Sequence, residues 1–364
     1  MNKNNYAVIM AGGVGERFWP MSRVSRPKQF IDILGTGKTF IQQTYERFLK
    51  VCEKENIYIL TNKIYLDLVL EQLDGIKKEQ VLLEPARKNT APCIAYAAYK
   101  IRELNPDARM VVAPSDHLIL KEDIFTDIIN SALDAAGDME NFYTLGIKPS
   151  RPDTGYGYIQ YVTGEDEYEQ SDLLRKVKTF TEKPDDHWAR SFLASGDFLW
   201  NSGIFIWSCK AIIDAFEKFQ PEISYVFQKG IGIYNTPHET EYINEKYVEC
   251  KSISIDYAIM EKAENVYVFI SDFGWSDLGT WGSLFEVREK DQQKNAIIGK
   301  NVMVYDTQNS IITVPDEKMV VLQGLDGYIV SESDNALLIC KKENEQQIRK
   351  FVNDIRLSKD DKFV

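Results

Sequence analysis

The sequence predicts an α/β fold: a mixed, mainly parallel sheet flanked by helices, followed by a small domain of short strands at the C-terminal end. Three observations carry this. The apolar run Tyr6-Ala7-Val8-Ile9-Met10 reads as a buried first strand and runs directly into Gly12, Gly13 and Gly15. From residue 39 to residue 147, strand-like apolar runs alternate with helix-spaced segments, as in parallel strands joined by helical crossovers. Beyond residue 290 the texture changes to short apolar runs separated by Gly, Asn and Asp.

Taken in order, residues 39–50 place Phe40, Ile41, Tyr45, Phe48 and Leu49 at helical spacing, and Ile57 to Leu60 is a short strand. Residues 63–73 read as a helix and Val81 to Leu83 as a strand. A helix opens near Thr90 and runs to about Leu104, Met110 to Ala113 is a strand, 123–137 a helix and 142–147 a strand. Residues 153–159 and 177–184 alternate instead of running solidly apolar, which suits antiparallel additions. Helices follow over 210–230, and Val266 to Ile270 is a strand. Short strands such as Val302–Tyr305 fill 295–340, and a helix over 343–355 closes the chain. The expected division is a catalytic domain over 1–290 and a C-terminal domain over 291–364.

The chain has 364 residues, of which 44% are hydrophobic and 27% charged, an ordinary globular composition. No apolar run approaches the roughly 20 residues of a membrane span. No basic segment leads into an apolar core with a cleavage site, so no secretory leader is read and a cytoplasmic protein without membrane partners is expected. The five cysteines lack metal-like spacing. A net charge of −12 argues against a nucleic-acid binder. It also means that a site for anions must concentrate cations locally. Arg17, Arg23, Arg26 and Lys28, against the single acid Glu16, do so beside the glycines.

Glycines let backbone N–H groups approach a phosphate closely. A dinucleotide fingerprint needs glycine where this chain has Phe18, and a P-loop needs one where Asp32 precedes Gly37-Lys38-Thr39. Asn89 or Thr90 either caps the helix that follows or offers polar groups to a base edge. Asp116, just past a strand end, suits Mg²⁺, which takes one or two carboxylates plus phosphate oxygens; the alternative is an Asp capping the next turn. His117 reads as structural, and His187 and His238 as surface residues. Ser276 does not fit a nucleophile elbow, and no Ser-His-Asp or Cys-His constellation is visible.

The stretch Ala11-Gly12-Gly13-Val14-Gly15-Glu16-Arg17-Phe18-Trp19-Pro20-Met21-Ser22-Arg23, followed by Arg26-Pro27-Lys28-Gln29-Phe30, resembles the signature of sugar-1-phosphate nucleotidyltransferases. Trp19-Pro20, Pro27-Lys28-Gln29-Phe30 and Glu84-Pro85-Ala86-Arg87-Lys88-Asn89-Thr90-Ala91-Pro92 narrow it to the branch using GTP and mannose 1-phosphate. Lys88 stands where that branch has arginine. Further matches at Phe180-Thr181-Glu182-Lys183-Pro184, Trp200 to Phe205, Ser254 to Glu261 and Gly274 to Trp281 extend the likeness over nearly the whole chain.

The resemblance implies a Rossmann-like nucleotide-diphospho-sugar transferase fold with a C-terminal left-handed β-helix-like domain, a homodimer, and Mg²⁺ as cofactor. It implies nucleotide binding by Ala11, Gly12, Gly13, Gly15, Glu84, Pro85, Asn89, Thr90 and Ser115. Sugar-phosphate binding falls to Tyr156, Gly157, Glu182, Lys183, Asn201 and Asp256, metal binding to Asp116 and Asp277, and catalytic cations to Arg17, Lys28 and Lys183. The implied products are GDP-mannose and pyrophosphate. The rivals are a glucose-1-phosphate enzyme using UTP or dTTP and a catalytically silent regulatory homologue.

Overall fold

The computed structural model describes residues 1–138, 140–163, 173–359 and 361–364. They form two compact units, one of Met1–Gly12, Thr44–Ser115 and Ile119–Trp275, the other of Gly13–Gln43, Asp116–Leu118 and Ser276–Val364.

The first unit is built on a nine-stranded sheet. Its strands are β1 (Asn5–Met10), β2 (Ile57–Asn62), β3 (Val81–Glu84), β4 (Arg109–Pro114), β6 (Phe142–Ile147), β7 (Tyr158–Tyr161), β8 (Leu174–Thr181), β9 (Phe198–Ser208) and β10 (Val266–Ser271); the two-residue β5 (Leu118–Ile119) lies outside it. The order is β3-β2-β1-β4-β9-β6-β10-β8-β7. β1 to β4 are mutually parallel, as are β6 and β10. β9 runs antiparallel between β4 and β6, so those two point the same way. The alternating segments become β7 and β8, which pair antiparallel as their pattern predicts.

The central strands are buried nearly throughout, as their solid apolar runs require. The helix Thr90–Leu104 is buried through most of its length, with alanines at 91, 95, 97 and 98 allowing close packing. One ion pair inside this core is fully compensated. Glu239 accepts from Lys100 Nζ at 2.6 Å, Tyr96 Oη at 2.5 Å and the Asn235 amide at 2.7 Å.

The second unit is β-helix-like. After the short β11 (Trp275–Ser276) come β12 (Ala296–Ile298), β13 (Val302–Tyr305), β14 (Ile311–Thr313), β15 (Val320–Gln323), β16 (Tyr328–Ser333) and β17 (Ala336–Lys341). β12, β14 and β16 stack in parallel on one side, and β13 and β15 on another; β17 closes the first stack antiparallel. Ala296 pairs with Ile311 and Ile311 with Ile329, so successive coils differ in length, which hides the repeat in the sequence. The closing helix arrives in two pieces, a 3-10 turn Lys342–Gln347 and an α-helix Ile348–Ser358.

The motif segment 13–43 shares the core of these coils. Phe18, Trp19, Phe40, Trp281, Ile311, Ile329, Ile348 and Val352 form one buried cluster. Arg23 is spent here rather than beside a ligand, contrary to the charge reading of the sequence. Its guanidinium donates to Pro20 O at 3.2 Å, Ser333 O at 2.8 Å, Lys362 O at 3.1 Å and Asn335 Oδ1 at 2.7 Å. Arg23 itself is buried, and Arg23→Ala removes all four of these hydrogen bonds. It should lower unfolding free energy by about 3 kcal/mol in denaturant titration; a loss below about 0.5 kcal/mol would contradict this role.

Candidate active site

In the second unit the residues predicted for phosphate and metal converge on Lys28, which is 2% exposed. Its Nζ donates to Asp116 Oδ2 at 2.9 Å, to Asp116 O at 3.0 Å and to Asp277 O at 2.7 Å. Phe18 and Phe40 present ring faces to the same ammonium at 5.8 and 5.2 Å. Burial pushes the Asp116 carboxyl up, but Lys28 and then His117 outweigh it and hold the group below its ordinary range. Asp277 Oδ1 accepts from the Gly279 amide at 3.0 Å, which fixes the second carboxylate. Asp116 and the backbone of Asp277 therefore lie together: β4 and β10 are not neighbours, but the two-residue strands next to the aspartates, β5 and β11, pair with each other.

The glycine loop is stapled to the same segment. Lys28 N donates to Val14 O at 3.2 Å, Gln29 Nε2 to Gly13 O at 2.9 Å and Ser22 Oγ to Gly15 O at 2.5 Å. Gly15 has φ of +75°, and a Cβ there would sit 2.6 Å from Lys28 Cβ, so only glycine fits. Gly13 has neither a positive φ nor an atom within 4 Å of a Cβ position. Nothing in the fold demands glycine there. Arg17 lies on the 3-10 turn Glu16–Phe18 that follows.

In the first unit, Glu84 ends β3 and a Cβ on Gly12 would stand 3.6 Å from its Oε1. Tyr247 Oη donates to Glu84 Oε2 at 2.9 Å. Burial lifts the Glu84 carboxyl to about 7, against the lowering effects of Tyr247 and Arg87. Pro85 follows at once. Asn89 caps the helix, with φ of +64° and Oδ1 accepting from Thr90 N at 2.9 Å. Thr90 Oγ1 accepts from Ile255 N at 2.8 Å. Both residues thus carry structural bonds. Ala11 N donates to Leu60 O at 2.7 Å, and Ser115 O accepts from Thr44 Oγ1 at 3.0 Å.

A second cluster in that unit gathers residues expected from the sequence to bind the sugar phosphate. Gly157 O accepts from Asn201 N at 2.8 Å, and a Cβ on Gly157 would come 2.5 Å from Glu182 Oε2, so glycine makes room for that carboxylate. Lys183, in the left-handed region at φ of +48°, pairs with Glu182 Oε1 while its side chain remains 60% exposed. Asn201 Nδ2 donates to Asp256 Oδ1 at 3.0 Å, and Asn201 Oδ1 accepts from Gly203 N and Thr144 Oγ1. One N–H of the Asn201 amide is left for a ligand, fewer groups than the sequence suggested. Burial and then the like charge of Glu182 raise the Asp256 carboxyl to about 6. Tyr156 packs edge-on against Trp200 and Trp275 at 5.0 and 5.2 Å.

Sequence reasoning missed Tyr247, Thr144, Ser22 and Gln29 as partners of the site. Tyr247 sits in a helical segment with no motif. Among the described residues no set of three or more His, Cys, Asp or Glu side chains forms a metal-binding group. No helix of theirs is long and apolar enough to cross a membrane.

The sequence and the fold match known proteins. The family described as nucleotidyl transferase matches residues 6–294, and one described as MannoseP isomerase/GMP-like beta-helix domain matches 299–355. A mannose-1-phosphate guanylyltransferase from Klebsiella pneumoniae is 36% identical over 348 residues, covering 95% of this chain and 72% of the relative. The xanthan biosynthesis protein XanB of Xanthomonas campestris pv. campestris is 36% identical over 352 residues, 96% of this chain and 73% of its own. The solved structure of a mannose-1-phosphate geranyltransferase from Thermus thermophilus superposes with a TM-score of 0.85 at 29% identity, covering 97% of this chain and 99% of that one. With the family match over residues 6–294 and relatives 36% identical over 95% or more of its length, the chain belongs to the nucleotidyl transferase family of enzymes.

Proposed function

We propose that the enzyme transfers GMP from GTP to mannose 1-phosphate, releasing pyrophosphate and GDP-mannose. The catalytic domain in this reading is 1–290, and 291–364 is the β-helix-like domain. The observation that carries it is Lys28, whose ammonium joins the Asp116 carboxylate and the Asp277 backbone beside the glycine loop.

The attacking group is a sugar-phosphate oxygen, already anionic, so the reaction needs no general base and no covalent nucleophile. Its obstacle is repulsion between two anions, and positioning with charge neutralisation is what remains for the protein to supply. Backbone amides of Gly12, Gly13 and Gly15 receive the triphosphate. Arg17 holds the leaving pyrophosphate, and Lys28, whose three N–H donors are engaged, acts through the Asp116 carboxylate and the Asp277 backbone and through its charge. The exposed Lys183 takes the phosphate of the sugar, while Glu182 accepts from sugar hydroxyls and Asn201 offers its remaining N–H. Glu84 keeps Oε1 without a protein donor among the described residues, and an ionised carboxylate suits the N1–H and exocyclic amine of guanine.

Mg²⁺ takes one or two carboxylates together with phosphate oxygens and waters, and Asp116 and Asp277 would hold it. Bound there, the ion supplies Lewis-acid neutralisation of phosphate charge.

Two measurements test this reading. Pyrophosphate release across the four nucleoside triphosphates and several sugar 1-phosphates should be fastest with GTP and mannose 1-phosphate; a clear preference for UTP or dTTP with glucose 1-phosphate, or no turnover with any pair, would overturn it. In the same assay Lys183→Ala and Asp277→Asn should each lose about 10²–10³ in turnover with the fold intact by circular dichroism. Turnover within a few fold of the parent would remove those residues from the mechanism.

A further inference from the structure

Tyr247 is fully buried, on a 3-10 turn that no motif marks, and its hydroxyl reaches the carboxyl group at the end of β3. Phe227 packs edge-on against its ring at 6.0 Å, so the phenol is fixed in direction by packing as well as by its hydrogen bond. We infer that Tyr247 sets the nucleobase specificity of the enzyme by holding Glu84 Oε2, which leaves Oε1, on the Gly12 side, as the acceptor that reads the base. This rests on the proposed reading of guanine by Glu84.

The chemistry runs through what a carboxyl group can offer. Ionised, it only accepts, which matches the N1–H of guanine and opposes the bare N1 of adenine. Protonated, it carries a donor, which opposes guanine N1–H and suits adenine N1. The state of Glu84 therefore decides which purine fits. The groups facing it are Tyr247, Arg87 of its own loop, and Cys93 from the helix Thr90–Leu104. Arg87 directs Nη2 to Tyr65 Oη at 3.1 Å, so its help is Coulombic. Cys93 is a buried thiol whose own burial keeps it protonated, and it offers Glu84 no charge. With burial lifting the acid to about 7, the Tyr247 hydrogen bond is the contact that favours the accepting form near neutrality.

Tyr247→Phe removes the hydroxyl and keeps the ring. The experiment is kcat/KM for GTP and for ATP, with mannose 1-phosphate and Mg²⁺, from about pH 6 to about pH 9 on the full chain. Losing a donor to the ionised form raises the folded-state pKa of Glu84. The acid limb for GTP should therefore move about one pH unit upward. The preference for GTP over ATP should narrow about tenfold near neutral pH and recover near pH 9, where Glu84 is ionised in both proteins. A profile that coincides with the parent's, or a preference lost equally at every pH, would overturn the inference, since mere packing moves no limb. Glu84→Gln separates the two levels. If it keeps the parent's preference for GTP, the reading of the base by Glu84 fails. If it loses that preference while Tyr247→Phe matches the parent, only the role of Tyr247 fails.

Discussion

The enzyme depends on burying one ammonium group without leaving it unpaired. An unpaired ammonium buried where Lys28 sits would destabilise the fold. Three oxygens from two separate stretches of chain and two aromatic faces compensate it. That requirement arranges the rest. It draws Asp116 and Asp277 together, it demands a glycine at position 15, and it ties the loop carbonyl of Val14 to the backbone of position 28. The result is a rigid set of charges prepared before any ligand arrives, the condition under which electrostatic stabilisation is effective.

Charge in this chain is divided by task. Overall it is acidic, with a formal charge of −12, while the cations near the N-terminus are clustered. The cluster is not uniform in function. Arg23 is consumed by backbone carbonyls of the C-terminal coils, whereas Lys28 serves the aspartates. In the other unit two carboxyls are lifted toward neutrality, Glu84 to about 7 and Asp256 to about 6, both chiefly by burial. The hydroxyl of Tyr247 and the amide of Asn201 determine the direction in which these acids face.

The parallel strands and their helices were legible because solid apolar runs and 3.6-residue spacing are local signals. So was the glycine loop, marked by Gly12, Gly13 and Gly15 directly after the first strand. The antiparallel course of β9 was not legible, since its residues read as core whichever way the strand points. The convergence of Asp116 with the backbone of Asp277 was not legible, since it joins two stretches far apart in the chain. It arises through the pairing of the two-residue strands β5 and β11 and through Lys28, long-range contacts that periodicity cannot reveal. Tyr247 and Thr144 escaped for the same reason: each meets its partner across a large separation in sequence, with no spacing rule linking them. Asn89 could be read two ways, and its capping bond is now visible while a contact with a base would require the ligand.

The central claim is that Lys28 and Asp116 act as one unit, and a double-mutant cycle on kcat/KM for GTP tests it most directly. Lys28→Met, Asp116→Asn and the combined variant would be compared with the parent. A single unit predicts that the combined variant is no more than about tenfold slower than the slower single variant. Losses that multiply in full would mean that the two side chains contribute independently, and would contradict the account.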